Sequence, residues 1–109
     1  MEKEFFKRIE LLKDTPSSIT LTYYLLEGSV SEEYCDLKIY GVLVEKEVKS
    51  KSGQIMREKK SIPDLFFTKL EAKSFLEHIC EQRIMPIDLK YAVKPYIEEQ
   101  IGLRSVESI

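Results

Sequence analysis

Apolar residues change period near Ser61. Upstream they alternate or cluster as in strands, over Ile19–Leu26 and Leu37–Val44. Downstream, Ala72, Phe75, Leu76, Ile79 and Cys80 recur at helical spacing. This order predicts an α+β fold: an antiparallel meander of three to four strands with two C-terminal helices packed on one face. Ile19–Leu26 is rich in β-branched and aromatic residues, with Ile19, Leu21, Tyr23 and Leu25 on one face. Residues 1–14 suit a helix and a strand about equally. The need to cover a sheet edge favours a strand from near Glu4. Asp14-Thr-Pro-Ser-Ser18 reads as a turn, and the carboxylate-rich stretch Glu27–Asp36 as a solvated acidic turn.

Leu37–Val48 reads as one strand with a change of phase. Leu37 and Ile39 point one way, and Val42 and Val44 take the opposite phase, with Gly41 between them. A β-bulge at Tyr40-Gly41 would bring both sets onto the core face. The strand then turns charged and reverses through Lys49-Ser-Lys-Ser-Gly-Gln54, where Gly53 can take positive φ. Ile55–Ile62 returns with Arg57, Lys59 and Lys60, a composition that suits an edge.

Thr68-Lys-Leu-Glu71 matches a capping box: the Thr68 hydroxyl accepts from the Glu71 amide and the Glu71 carboxylate reaches back to the Thr68 amide. Phe67 would staple weakly onto Ala72. The helix is expected over Lys69–Arg83. Pro86 and Asp88 signal a second start, with Asp88 as N-cap. Leu89, Ala92, Val93, Tyr96 and Ile97 supply its apolar face. Pro95 predicts a kink or two short helices, Gly102 a stop, and residues 103–109 a frayed end.

The order Leu21-Thr-Tyr-Tyr-Leu-Leu-Glu-Gly28, Ile39-Tyr-Gly-Val-Leu-Val44 and Pro86-Ile-Asp-Leu-Lys-Tyr-Ala-Val93 resembles small uncharacterised proteins of clostridia and related Gram-positive bacteria, grouped as a domain of unknown function. The resemblance covers roughly residues 18–97, and its motifs are apolar and structural. It implies the same fold and a bacterial cytoplasmic setting, and brings no activity, cofactor or catalytic residue. Pro95 departs from the uninterrupted helix of the family.

The length of 109 residues suggests a single domain spanning 1–109, able to build one modest core. Apolar residues make up 43% and charged residues 33%, a globular rather than disordered balance. The net charge of −2 argues against a whole-chain footprint for nucleic acid or anionic lipid. No apolar run is long enough to cross a membrane, and the charged N-terminus is unlike a signal peptide, so a cytoplasmic location is expected.

Candidate chemistry is sparse. Cys35 and Cys80 lack metal-ligand spacing; Cys80 reads as a buried core thiol, and carboxylates near Cys35 disfavour its thiolate. His78 stands alone at the edge of a helical apolar face. The glycines are isolated, so no phosphate loop is present, and the carboxylates of 27–36 lack calcium-loop spacing. No catalytic residue, metal ligand or cofactor is assigned, and an enzyme is not expected.

The remaining signals concern partners. Segment 45–60 holds six basic residues (Lys46, Lys49, Lys51, Arg57, Lys59, Lys60) against three acidic ones, and reads as a projecting cationic hairpin. Apolar residues at Leu65–Phe67 and at Tyr96, Ile97 and Ile101 exceed what one small core absorbs, which suggests an interaction or homodimer surface. Together these predict a non-enzymatic regulatory or adaptor protein that binds another protein. A nucleic-acid-associated accessory factor is the alternative, weakened by the absence of aromatic residues on the hairpin for base stacking.

Overall fold

A computed structural model describes residues 2–11, 17–31 and 36–107, with side chains through residue 100. Four strands form one antiparallel sheet in chain order: β1 (Glu2–Glu10), β2 (Ser18–Ser31), β3 (Asp36–Lys49) and β4 (Ile55–Phe66). Helix α1 (Lys69–Glu81) follows, then a 3₁₀ turn (Pro86–Asp88) that runs directly into α2 (Leu89–Glu107). The architecture is the α+β meander with two C-terminal helices that the change of period implies.

The core lies between the sheet and the helices. Alternation puts Leu21, Tyr23 and Leu25 of β2 on the same face as Tyr40, Val42 and Val44 of β3, and these pack with Ala72, Phe75, Leu76, Ile79 and Cys80 of α1 and with Leu89 of α2. Each large side chain fully buried there contributes about 1.5–3 kcal/mol. Tyr23 is buried to its hydroxyl, which donates to the Ile84 carbonyl at 2.9 Å and so ties the α1–α2 connection to the sheet. All five helical positions expected to face the core are buried.

Several local expectations change. The first strand begins at Glu2 and carries a one-residue bulge between Phe5 and Lys7. The acidic segment is mostly strand: Glu27–Ser31 pair with Asp36–Tyr40. Pairing satisfies the backbone there whatever the composition, and Leu26, Gly28 and Val30 keep the period of two. The turn residues 14–16 and Cys35 lie outside the described residues.

The bulge expected at Tyr40-Gly41 is not on β3. That strand stays in continuous register with β2 from Ser18–Lys49 to Ser31–Asp36. Val42 pairs with Ile62 and Tyr40 with Phe66, so the extra residues sit on β4, around Pro63. An edge strand tolerates both the irregularity and the missing proline donor. Leu37 and Ile39 therefore lie on the face away from the helices. Gly41 instead makes room for β4, since a Cβ there would run into the Ile62 carbonyl oxygen and the Pro63 backbone.

Thr68 caps α1, its hydroxyl accepting from the Glu71 amide at 3.2 Å and donating to Glu71 Oε1 at 2.8 Å. Phe67 is 71% exposed, too open for a staple onto buried Ala72. The helix stops at Glu81 rather than Arg83, because Arg83 adopts positive φ (52°). The Arg83 amide reaches the Cys80 carbonyl at 3.1 Å and the Ile84 amide the Ile79 carbonyl at 3.0 Å, a Schellman closure. Asp88 is not an N-cap; the 3₁₀ turn, entered from Met85, already delivers helical backbone to Leu89. Pro95 lies inside one continuous helix, held through its apolar face by Ala92, Val93 and Tyr96. The helix also passes Gly102 and continues to Glu107, since one glycine costs only about 1 kcal/mol.

Candidate partner-binding surface

The β3–β4 hairpin turns at Ser50–Gln54, with Gly53 at φ 87° and its amide donating to the Ser50 carbonyl at 3.0 Å. The hairpin is not a free-standing finger. β2 accompanies β3 as far as the Ser18–Lys49 pair, so the cations lie along the margin of the sheet. Ladder pairing assigns their faces. Lys49, Arg57 and Lys59 share the phase of Glu45 and Glu47 on the face without helices. Lys46 and Lys60 take the phase of Val44, and Lys51 sits in the exposed turn. The six basic residues are thus divided over two faces and a tip.

They also differ in pairing. Arg57 Nε donates to Glu47 Oε2 at 3.2 Å. Glu45, opposite Lys59 in the ladder, is engaged by Lys3 at 3.9 Å and accepts from the Tyr24 hydroxyl at 3.4 Å. Burial, followed by the Glu45 charge, raises the Tyr24 pKa above its usual value. Among the described residues, Lys49, Lys51, Lys59 and Lys60 have no ion-pair partner.

The sheet face away from the helices has two halves. Toward the β3–β4 turn it is a shallow concavity of about 460 Å³, lined by Arg8, Glu10, Thr22, Glu45, Glu47 and Arg57 among others. Toward the other end it is apolar: Leu26 and Leu43 are buried, while Phe5, Val30 and Leu37 stay 57%, 45% and 41% exposed. Phe5 meets Tyr24 edge to face, with ring centroids 6.2 Å apart. Sequence reasoning misses this half because Val30 lies in a segment of loop-like composition and the phase argument directs Leu37 to the core. The period-two row Leu26, Gly28, Val30 is the signal that could have found it.

Tyr96 and Ile97 sit on α2, away from the hairpin. Tyr96 is half-buried, its ring 5.0 Å from Phe75, 5.2 Å from His78 and 6.5 Å from Phe66, so it closes the seam between the helices and β4. Burial raises its pKa. Ile97 borders a groove of about 330 Å³ with Leu65, Phe66 and Leu70. The side chain of Ile101 lies outside the described residues. The structure therefore brings no single surface together from the hairpin cations and the α2 residues.

Cys80 is a buried free thiol, and burial pushes its pKa up to about 11. Burial holds Tyr23 well above the usual phenol range. Among the described residues no three His, Cys, Asp or Glu side chains are grouped to hold a metal ion, and no helix is long and apolar enough to cross a membrane.

Residues 2–99 match the profile of a family of unknown function, DUF6514. The chain belongs to the DUF6514 family. The match takes in all four strands and α1, so both the bare sheet face and the hairpin cations belong to the DUF6514 portion. No curated protein and no solved structure matches the chain.

Proposed function

We propose that this DUF6514 protein is a non-enzymatic regulatory or adaptor protein of the bacterial cytoplasm, which acts by binding another protein. One observation carries the reading: β4 presents an outer edge whose residues from Ile55 to Ser61 are all exposed, beside lysines with no ion-pair partner among the described residues. An exposed strand edge is a template for pairing, and unpaired surface cations steer encounter with an acidic partner. A second reading, contact with a nucleic-acid backbone, draws on the same lysines. It is weakened by the absence of aromatic residues from Ile55–Ser61 and by the net charge of −2.

The test is affinity capture in the source organism with wild-type protein and a Lys49/Lys51/Lys59/Lys60→Glu variant, with and without nuclease. The reading expects a nuclease-resistant protein partner that the variant loses. Partners that vanish with nuclease support the second reading. Identical partners for both chains remove the hairpin from either reading.

A further inference from the structure

We infer that the outer edge of β4 binds an extended acidic peptide segment of the partner protein, which adds to the sheet as a fifth strand; this rests on the protein-binding reading above and names the partner's chemistry.

The first support is geometric. β4 is the last strand in the sheet order, and its inner edge is used by β3. Its outer backbone groups from Ile55 to Ser61 therefore face away from the sheet. The residues of β4 that pack on the helical core are Ile62, Leu65 and Phe66, all at its C-terminal end. The preceding stretch is regular: the register with β3 runs unbroken from Lys49–Ile55 to Val42–Ile62. A regular, exposed edge of this length accepts a peptide through main-chain hydrogen bonds.

The second support is charge. A strand laid beside β4 meets Arg57 and Lys59 on one face, and Glu58 and Lys60 on the other. Directly opposed side chains in such a pair lie about 5 Å apart. Lys59 and Lys60 have no ion-pair partner among the described residues, and Lys49 and Lys51 add two more unpaired cations at the turn. Carboxylates at alternate positions of the incoming strand would face Arg57 and Lys59 together.

The same charges disfavour a second copy paired about Glu58. An antiparallel β4–β4 pair centred on Glu58 opposes Glu58 to itself and Arg57 to Lys59 on both sides, whereas centring on Lys59 sets Glu58 against Lys60 but opposes Lys59 to itself. Like charges directly opposite destabilise a ladder. A phosphate chain has no amide row to match the edge.

The test uses a fluorescein-labelled octapeptide alternating glutamate and valine, its analogue N-methylated at alternate amides, and an alternating lysine–valine peptide. Anisotropy titrations are run with the full chain and with a Lys59→Glu/Lys60→Glu variant, and amide exchange is followed in the wild-type complex. Strand addition expects the acidic peptide to bind wild type, with N-methylation and the double reversal each weakening it at least about tenfold. The variant should prefer the lysine peptide, and exchange should slow at Met56–Ser61. Equal binding of the N-methylated peptide, protection confined to other residues, or no binding of the acidic peptide overturns it. So does a wild-type dimer in sedimentation whose protected amides are those of β4. A nuclease-resistant captured partner combined with any of these results leaves the protein-binding reading standing and removes strand addition alone. Absence of any captured protein partner, with strand addition of the peptide intact, does the reverse.

Discussion

At the scale of single residues, Gly41 shows how a position can be informative for a reason other than the one its neighbours suggest. The sequence points to Gly41 through a phase change, and the structure uses it as the place where the Ile62–Pro63 backbone crosses β3. Gly41→Ala is expected to lower stability by about 1–3 kcal/mol, since backbone rather than a mobile side chain must yield, and a thermal melt checks it. Cys80 allows a pH prediction. Its pKa is 9.0 in the unfolded reference and about 11 when folded. The native state thus holds a proton that the unfolded chain releases. Stability from this group is complete below pH 9.0 and is lost as pH rises toward about 11. Urea midpoints measured across that window should fall, and Cys80→Ala should flatten the decline.

At the scale of elements, legibility follows the source of each signal. β2, β3 and α1 announce themselves through Ile19–Leu26, Val42–Val44 and the Thr68–Glu71 cap, because local pattern and tertiary packing demand the same thing there. Glu27–Ser31 reads wrongly as a turn because loop-like composition carries no information about a pairing supplied by Asp36–Tyr40. The phase change in β3 is visible, but a single strand cannot say whether a bulge or a second apolar face accounts for it; here Leu37 and Ile39 lie on the face away from the helices. The hairpin cations are legible as residues; their division between faces is not, since that depends on the β3–β4 register. The end of α1 is also unreadable, because Arg83 occupies a left-handed position that usually takes glycine. Arg83→Gly should stabilise the protein by about 1 kcal/mol, the order of the left-handed penalty for a residue with a Cβ, and raise the melting temperature accordingly.

At the scale of the whole molecule, the sheet outruns its helical layer. The principal extents are 55 × 34 × 18 Å. β2 and β3 each contain 14 residues, roughly 46 Å of strand, while the 13 residues of α1 span about 20 Å and the 19 of α2 about 28 Å. Protection should follow that coverage. Native-state hydrogen exchange is expected to be slowest at Leu21–Leu25 and Val42–Val44, and at least about tenfold faster at Met56–Lys60 and at Val30 and Leu37.

The crossing at Gly41 bears on more than local fit. Along the β3–β4 hairpin, Glu45 faces Lys59 and Glu47 faces Arg57. Lys46 likewise faces Glu58. Sliding β4 by two residues leaves only one acid–base match, Glu45–Arg57 in one direction or Glu47–Lys59 in the other, where Lys46 also meets Lys60 and Lys49 meets Arg57. The polar ladder therefore favours the native alignment, but through exposed pairs that are each worth only a few tenths of a kcal/mol to about 1 kcal/mol. The notch at Gly41 acts as an index pin: only one setting lets the Pro63 backbone pass over a residue with no side chain. With the Gly53 reversal closing the other end, the chain has a fixed scale along which a surface of repeating Glu and Lys can be read in one frame.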